Sequence, residues 1–294
     1  MKRLTTDQIH TFREQGYLRV ENALESADLN PLIAEFEEVV DRHARQLYAK
    51  GEIDSTFAEH GFDTRLAKIT EQSPIAFQAL FSGVHTGPAL FELIRNEKLL
   101  DIAESLVGQE IMCHPAYRVR PKLPDHALTV VPWHQDAGYM EMQCDTVLQL
   151  TIWIPLIDAT VENGCLEVIP YAHKSGVFRH RSVKGRPYLD IPEDVLPDTQ
   201  PVPVPVNFGS VLLLTNLTPH RSTPNLTNQV RWSVDVRYQD TAHPTGYQPE
   251  AGFLARSRIR PDAVVTSPEE FERIRKSHQP GPGPRRWKVE EPGA

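Results

Sequence analysis

The sequence predicts a mainly β protein, a β-sandwich or jelly roll with helices packed against its outside. Helical periodicity marks the first 107 residues of the 294-residue chain. After Gly108, short apolar segments alternate with turn signals, and the β-α-β rhythm that builds a parallel sheet is missing. The 25 prolines, against 16 glycines, favour many turns and short strands over long helices.

The amino-terminal end predicts a capped helix followed by a short strand. Thr5 and Gln8 fit a capping box, and Gly16 fits the C-terminal cap of the same helix. A strand is predicted over residues 17–20, where apolar and β-branched residues follow the cap.

Three further stretches complete the helical third. A second helix is predicted from Ser26 to Lys50, because apolar residues recur along it at helical spacing: Leu29, Leu32, Ile33, Phe36, Val40 and Leu47. Residues 51–85 lose this periodicity and predict loops with a short helix. Residues 88–107 predict helix again.

The remainder of the chain predicts seven short strands. They fall at residues 110–119, 128–133, 146–157, 165–169, 202–206, 210–215 and 230–238. Glu162, Asn163 and Gly164 predict a tight turn just before one of them. The tail over 278–294 is rich in proline and glycine, and we expect it to be extended or partly ordered.

Charge and hydropathy exclude two kinds of partner. The net charge of −8 argues against broad nucleic-acid binding. No apolar run approaches the roughly 18 residues of a membrane span, and the basic start of the chain lacks the apolar stretch of a signal peptide. We therefore expect no membrane partner and a cytoplasmic location. The cysteines lack C-x-x-C spacing and are expected to be small buried residues in a reducing compartment: Cys113, Cys144 and Cys165.

A histidine followed two places later by an aspartate is the first candidate for chemistry. Of the twelve histidines, His134 alone has this pattern, with Asp136. In a strand, residues two apart point to the same face, so both side chains could reach one ion. A third ligand is needed, and His220, which follows the predicted strand 210–215, completes a 2-His-1-carboxylate set typical of non-haem Fe(II). The alternative is a histidine at a strand edge with an aspartate in a turn.

An arginine on an alternating strand is the second candidate. Arg231 shares one strand face with Ser233, Asp235 and Arg237, opposite an apolar face. Such a strand could lie at the surface. Arginine is also the side chain best suited to bind a carboxylate through two hydrogen bonds, as a keto-acid co-substrate requires.

These residues belong to segments that together resemble the phytanoyl-CoA dioxygenase family of Fe(II)- and 2-oxoglutarate-dependent oxygenases. Trp133–Asp136 resembles the family's W/L-H-Q-D segment, and Glu162–Lys174 resembles its N-G-C/P-L-x-V-x-P-G-S-H-K stretch, with Tyr171 at the glycine. His220–Ser222 resembles H-x-S, and Arg231 follows at the family's spacing. The opening segment over residues 12–18 is similar as well.

The resemblance implies a double-stranded β-helix, a jelly-roll, cupin-like barrel, in a single oxygenase domain over residues 1–294. Residues 1–107 would form a mostly helical flank and 108–240 the barrel core. Residues 241–294 would be a C-terminal extension and tail.

The resemblance also assigns roles to individual residues. It implies that His134, Asp136 and His220 bind iron, that Arg231 binds the distal carboxylate of 2-oxoglutarate and that Ser222 adds a hydrogen bond to it. These residues, with Arg231 counted among the catalytic ones, form the predicted active site.

Further contacts are implied with less support from the residues themselves. Trp153, in the strand before the Asn-Gly turn, shares a face with Gln149 and Thr151, and these three are candidate co-substrate contacts. A core aromatic is the alternative for Trp153. Tyr117 and Lys122 precede the first ligand segment and are candidate substrate or co-substrate contacts.

The implied reaction consumes 2-oxoglutarate and O₂, releases succinate and CO₂, and hydroxylates a small organic substrate. Ascorbate is expected to stimulate such an enzyme. Relatives that halogenate carry a small residue at the aspartate, so Asp136 argues against halogenation. Desaturation, epoxidation and ring formation use the same machinery and stay open.

The substrate is predicted only as a class, a carboxylate or an acyl-CoA. Residues 171–200 predict a lid, whose first half is basic and includes Arg179 and Arg181 as candidate contacts. A solvated loop is the alternative, with residues 51–85 as a second candidate wall. The oligomeric state is not predicted. Two other functions stay open: a cupin-like metal enzyme of another reaction type, and a non-catalytic binding protein on the same barrel.

Overall fold

The computed structural model describes residues 3–74, 76–77, 85–247, 252–277 and 286–291. The α-helices that lie whole within these ranges are α1 (Thr6–Gln15), α2 (Ser26–Ala49), α3 (Arg65–Gln72), α4 (Pro88–Ile94), α5 (Glu97–Val107) and α6 (Pro268–Ser277). Among the described residues, no helix combines the length and the apolar composition that a bilayer crossing requires.

The predicted start of the helical flank is confirmed. The Thr5 hydroxyl accepts from the Gln8 amide at 3.2 Å, and the Gln8 side chain accepts from the Thr5 amide at 2.9 Å. Gly16 ends α1 with a φ of +85°, a left-handed conformation that favours glycine. The single helical stretch predicted over 88–107 is wrong in one respect, because Asn96 caps a new helix by accepting from the Lys98 amide.

The strands form three sheets. The largest has the order β1-β9-β4-β11-β2-β12, with β3 also paired to β11. Its strands are β1 (Tyr17–Val20), β2 (Ile111–Cys113), β3 (Arg118–Lys122), β4 (Leu150–Pro155), β9 (Val211–Thr215), β11 (Arg231–Asp240) and β12 (Phe253–Arg256). The second sheet joins β10 (His220–Ser222), β5 (Leu166–Val168) and β8 (Val202–Val204), and the third joins β13 (Val289–Glu290), β6 (Arg181–Val183) and β7 (Leu189–Asp190).

This architecture confirms the predicted mainly β fold, and every strand pair is antiparallel except β13 with β6. Individual strands differ from prediction. The strand predicted over 110–119 is two strands, because residues 114–117 leave the ladder. The strand predicted over 128–133 is wrong: residues 127–129 form a 3₁₀ turn, and the next pairing is a single bridge at His134.

Alternation along the main sheet separates two environments. In β4, Leu150, Ile152 and Ile154 face a core shared with the helices, while Trp153 faces a smaller cluster with the second sheet. In β11 the apolar residues face the helices as well. The polar face of β11 is also buried, so the surface-strand alternative is wrong. The three cysteines are buried, as predicted.

The C-terminal region contains elements that the sequence did not predict. Helix α6 packs its Phe271 against Phe91 of α4 at 5.2 Å between ring centroids. The predicted tail over 278–294 lies partly outside the described residues. Its described part, residues 286–291, carries β13.

Candidate metal and co-substrate site

Two histidines, His134 and His220, are brought side by side by an antiparallel bridge between their backbones. The amide of His134 donates to the carbonyl of His220 at 3.0 Å, and the amide of His220 donates back at 2.9 Å. Their ring centroids lie 4.2 Å apart. Each Nδ1 lies near a carbonyl two residues earlier, at 2.9 Å for His134 and 3.0 Å for His220. This contact places the proton on Nδ1 and leaves Nε2 free to bind a metal.

Asp136 completes the set. It opens a 3₁₀ turn (Asp136–Tyr139) rather than lying in a strand, so the predicted strand geometry is wrong for this residue. Its carboxylate nevertheless reaches both imidazoles, and one ligand atom from each of the three residues lies within 4.8 Å of the others. All three side chains are buried.

The protonation states suit a cation. Burial lowers the pKa of both imidazoles, and for His134 the neighbouring His220 lowers it further, so both rings are neutral at pH 7. Burial opposes ionisation of Asp136, but the charge and hydrogen bonds of the Arg237 guanidinium hold that pKa well below its usual range. Two neutral nitrogens and one carboxylate therefore converge, as a divalent ion requires.

Gln135, between the ligands His134 and Asp136, joins the ligand segment to neighbouring loops by hydrogen bonds. Its side-chain amide donates to the carbonyls of Gly176 at 2.8 Å and Leu217 at 2.6 Å, and its oxygen accepts from the Phe178 amide at 2.7 Å. Its own backbone amide donates to His180 Nε2 at 3.0 Å. The chain on both sides of the ligand segment is thereby held in place.

Arg237 is a site residue that the sequence analysis did not assign. Its Nη2 donates to Asp136 Oδ1 at 2.8 Å and its Nε to Asp136 Oδ2 at 3.0 Å. Thr151, predicted as a co-substrate contact, instead donates to Asp136 Oδ2 at 2.6 Å. The available signal was the shared face of β11, since Arg237 alternates with Arg231 and Asp235 on it.

A cavity extends from this triad between the seven-stranded sheet and the sheet of β10, β5 and β8. Its lining includes the following residues named by the sequence analysis: His134, Thr151, Trp153, His220, Ser222, Arg231 and Lys122. It also includes Arg120, Asp235 and Arg237, which were given no role.

Arg231 is a buried cation that lines this cavity. It is 2% exposed and stacks on Trp153, with 5.1 Å from its guanidinium carbon to the ring centroid. Its Nη1 donates to Ser233 at 2.6 Å, while its buried Nε has no hydrogen-bond partner among the described residues. Burial, and then the charge of Arg120, lower its pKa to about 9. A buried guanidinium whose donors are not all paired is stabilised by a bound anion.

Lys122 lies beside Arg231, its partner in the β3–β11 register. Its Nζ donates to the Thr129 carbonyl at 2.8 Å and to Ser222 Oγ at 3.0 Å. Burial, followed by the charges of Arg231 and Arg120, lowers the pKa of Lys122 to about 6. Ser222 also accepts from the Val131 amide at 3.1 Å, so its own hydroxyl proton is available to an oxygen in the cavity.

The predicted Asn-Gly turn makes room for this lysine. Gly164 has a φ of +84°, and a Cβ there would lie 2.4 Å from Lys122 Cε. The turn therefore requires glycine for its conformation and for the close approach of the lysine.

Four predicted contacts lie elsewhere. Gln149 binds Gln239 and the Thr245 carbonyl, and the Tyr117 hydroxyl donates to the His85 carbonyl. Arg179 and Arg181 are ion-paired with Asp194 and Asp190.

None of these four residues lines the cavity that holds the triad. The predicted lid over 171–200 carries β6, β7 and two 3₁₀ turns, which its weak periodicity did not indicate.

Known proteins resemble this chain along most of its length. Residues 12–233 match the family described as phytanoyl-CoA dioxygenase (PhyH). A phytanoyl-CoA dioxygenase domain-containing protein 1 of Bos taurus is 26% identical over 81% of this chain and 91% of its own. A methylphosphonate hydroxylase of Gimesia maris is 25% identical over 81% and 82%.

Solved structures share the fold. The non-heme monooxygenase ThoJ in its apo form has a TM-score of 0.64 at 21% identity, covering 92% of this chain and 94% of its own. The epimerase SnoN, in complex with Fe³⁺, alpha-ketoglutarate and nogalamycin RO, has a TM-score of 0.53 at 20% identity, covering 82% and 86%.

Proposed function

This chain belongs to the phytanoyl-CoA dioxygenase family and is an iron- and 2-oxoglutarate-dependent oxygenase, and we propose that it hydroxylates a small organic substrate at an Fe(II) held by His134, Asp136 and His220. The observation that carries the ligand assignment is the convergence of two unprotonated Nε2 atoms and one carboxylate within 4.8 Å. The family assignment decides against the two alternative functions left open by the sequence.

The cavity fits 2-oxoglutarate beside Arg231 and Lys122. The buried Arg231, whose Nε has no partner among the described residues, supplies positive charge for the distal carboxylate. The adjacent Lys122 supplies an amine that takes up a proton when a carboxylate binds beside it. The Ser222 hydroxyl supplies a further donor. The Arg231 guanidinium lies over the Trp153 ring in a cation–π contact. Arginine over an aromatic ring is held in one orientation, which suits two-point binding of a carboxylate.

When bound, iron and 2-oxoglutarate supply the oxidising chemistry, in which O₂ is consumed and 2-oxoglutarate is converted to succinate and CO₂. Ascorbate stimulation is part of the proposal, since it keeps such iron reduced. Asp136 has both oxygens bound by Arg237, with Thr151 on one of them, so its orientation toward the histidines is set before a metal arrives.

The experiment uses the visible charge-transfer band that a keto acid forms on Fe(II), at about 500 nm. Under anaerobic conditions the parent protein with Fe(II) and 2-oxoglutarate is expected to show it. His134→Ala, Asp136→Ala and His220→Ala should each lose the band and bind Fe(II) more weakly, because each removes one of three ligands.

His243→Ala is the matched control, since its exposed ring lies outside the cavity. A ligand variant that keeps both the parent's band and its iron affinity would remove that residue from the site. A parent protein without the band would contradict the proposed co-substrate.

A further inference from the structure

The cavity holds more basic side chains than its expected ligands use. Besides Lys122 and Arg231, its lining includes Arg120, Arg221 and Arg237. Arg221 is ion-paired with Glu167, and Arg237 is ion-paired with Asp136 and Asp235. Arg120 is therefore the cation without an assigned role beside the metal triad.

Strand β3 places its basic side chains in a row on one face of the main sheet, from the exposed Arg118 to the buried Lys122. Val119 packs toward the helical core, so Arg118, Arg120 and Lys122 point the other way. Successive members of this row are about 6.6 Å apart along the strand. Lys122 lies opposite Arg231, whereas Arg120 lies opposite Ser233, one step nearer the triad.

A carboxylate binds one edge of the Arg120 guanidinium. Its Nε donates to Asp235 Oδ1 at 2.7 Å. Four N–H groups remain on Arg120. The neighbouring Tyr188 hydroxyl donates its own proton to the Leu128 carbonyl at 3.3 Å, and its oxygen can accept from only part of these four groups. An arginine held at Nε by a carboxylate presents its outer edge in a defined orientation, which favours a planar or tetrahedral oxyanion.

We infer that Arg120, positioned by Asp235 and Tyr188, binds an oxyanionic group of the substrate, so that the enzyme acts on small carboxylates or phosphonates rather than on neutral molecules. The inference rests on the proposed function. Arg120 shares the cavity with His134 and His220, so a substrate anchored there would lie at the metal. The names of two relatives, a methylphosphonate hydroxylase and a probable hypophosphite dioxygenase, agree with this class.

The test titrates the anaerobic enzyme, loaded with Fe(II) and 2-oxoglutarate, by calorimetry with methylphosphonate, inorganic phosphate and acetate. Acetamide is the neutral counterpart of acetate. At least one of the anions should bind the parent, and acetamide should not. Arg120→Gln should weaken anion binding about 10- to 100-fold, because charge-assisted hydrogen bonds are lost.

Arg221→Gln is the matched control. Arg221 also lines the cavity, but its Nε donates to Glu167 at 2.6 Å, so its removal should leave anion affinity unchanged. Because Arg120→Gln leaves Asp235 with one cation fewer, Arg120→Lys and Tyr188→Phe accompany it. Both should fold and show smaller losses, since each keeps a positive charge beside Asp235.

Three results would overturn the inference: no anion binds the parent, binding survives in Arg120→Gln, or acetamide binds as well as acetate. A loss of 2-oxoglutarate affinity equal to the loss of anion affinity would also overturn it, by assigning Arg120 to the co-substrate. The charge-transfer band separates the two proposals. If it forms and no anion binds, only this inference fails, whereas its absence from the parent contradicts the proposed function.

Discussion

Two buried basic side chains of the cavity, Arg237 and Lys122, differ in whether a carboxylate stabilises their protonated form. Arg237 contacts two carboxylates, which outweigh burial and raise its pKa. Lys122 has no carboxylate within ion-pair distance among the described residues, and burial lowers its pKa to about 6. Arg237 therefore stabilises the ionised Asp136 within the protein, whereas Lys122 is available to a bound anion. Replacing each residue is expected to have a different effect.

Replacing Arg237 should weaken iron binding in a pH-dependent way. In Arg237→Gln, burial is no longer outweighed, so the pKa of Asp136 rises and protons compete with the metal as pH falls. Loss of such a supporting contact typically costs about 10- to 100-fold in metal affinity. Fe(II) affinity measured at pH 6 and pH 8 should fall more at pH 6. Equal affinities in variant and parent at both values would contradict this role, and Arg221→Gln is the control.

Replacing Lys122 should change how stability depends on pH. Between the folded pKa of about 6 and the unfolded pKa of about 10.4, the unfolded chain holds a proton that the folded chain lacks. Stability of the metal-free parent therefore rises with pH across this window. Lys122→Met should remove up to about 1.4 kcal/mol per pH unit of that slope.

Urea unfolding at several pH values between 6.5 and 9 measures the slope. Lys50→Met, which removes an exposed lysine, is the control and should leave the slope as in the parent. Parallel pH profiles for parent and Lys122→Met would show that the folded lysine keeps its proton.

At the scale of elements, residues 286–287, just before β13, hold the turn that carries Asp136. Arg286 donates to both oxygens of Asp145 at 2.6 Å, and Trp287 Nε1 donates to the Gly138 carbonyl at 2.7 Å. The Trp287 ring lies 5.2 Å from His180, which accepts the amide of Gln135. A segment remote in sequence thus supports both sides of the metal-ligand turn.

Removing this support should loosen the turn without unfolding the barrel. Trp287→Ala loses the hydrogen bond to Gly138 and the ring contact, so hydrogen exchange at residues 137–140 should become faster and Fe(II) affinity should fall. Lys288→Ala, next to it and exposed, is the matched control. Unchanged exchange at these amides would mean that Gln135 and its partners hold the turn by themselves.

At the scale of the whole molecule, the N-terminal helices and the main sheet share one apolar core. Trp232 projects from β11 and stacks on Phe36 of α2 and on Phe62, at 5.9 and 4.9 Å between ring centroids. Its Nε1 donates to the Phe62 carbonyl at 3.0 Å. The opposite face of the same strand carries Arg231 and Arg237. Packing of the helices therefore determines where the site residues lie.

Trp232→Ala should destabilise the flank and the barrel together. Removal of a buried tryptophan costs about 3–5 kcal/mol, and the loss should appear as one lowered thermal transition because both faces of β11 are affected. Leu226→Ala is the control, since Leu226 is 77% exposed. Two separate transitions would contradict the single domain that we expect.

The sequence by itself determined the family, the fold class and the candidate ligands. These depend on local patterns: a capping box, a two-residue alternation, and a His-x-Asp segment with a histidine and an arginine at family spacing. The position of the Asn-Gly turn was predictable for the same reason. Short motifs can be recognised in the sequence because the residues that form them are close together along the chain.

Only the tertiary structure decided which charges meet. Arg237 was visible on the face of β11, but its partner Asp136 lies 101 residues away in sequence, and no local pattern joins them. The same holds for Lys122 with Ser222 and for Trp287 with Gly138. Arg179 and Arg181 were predicted as substrate contacts from composition, and nearby acids pair with them instead. Side-chain charge is a property of the residue, whereas its compensation is a property of the fold.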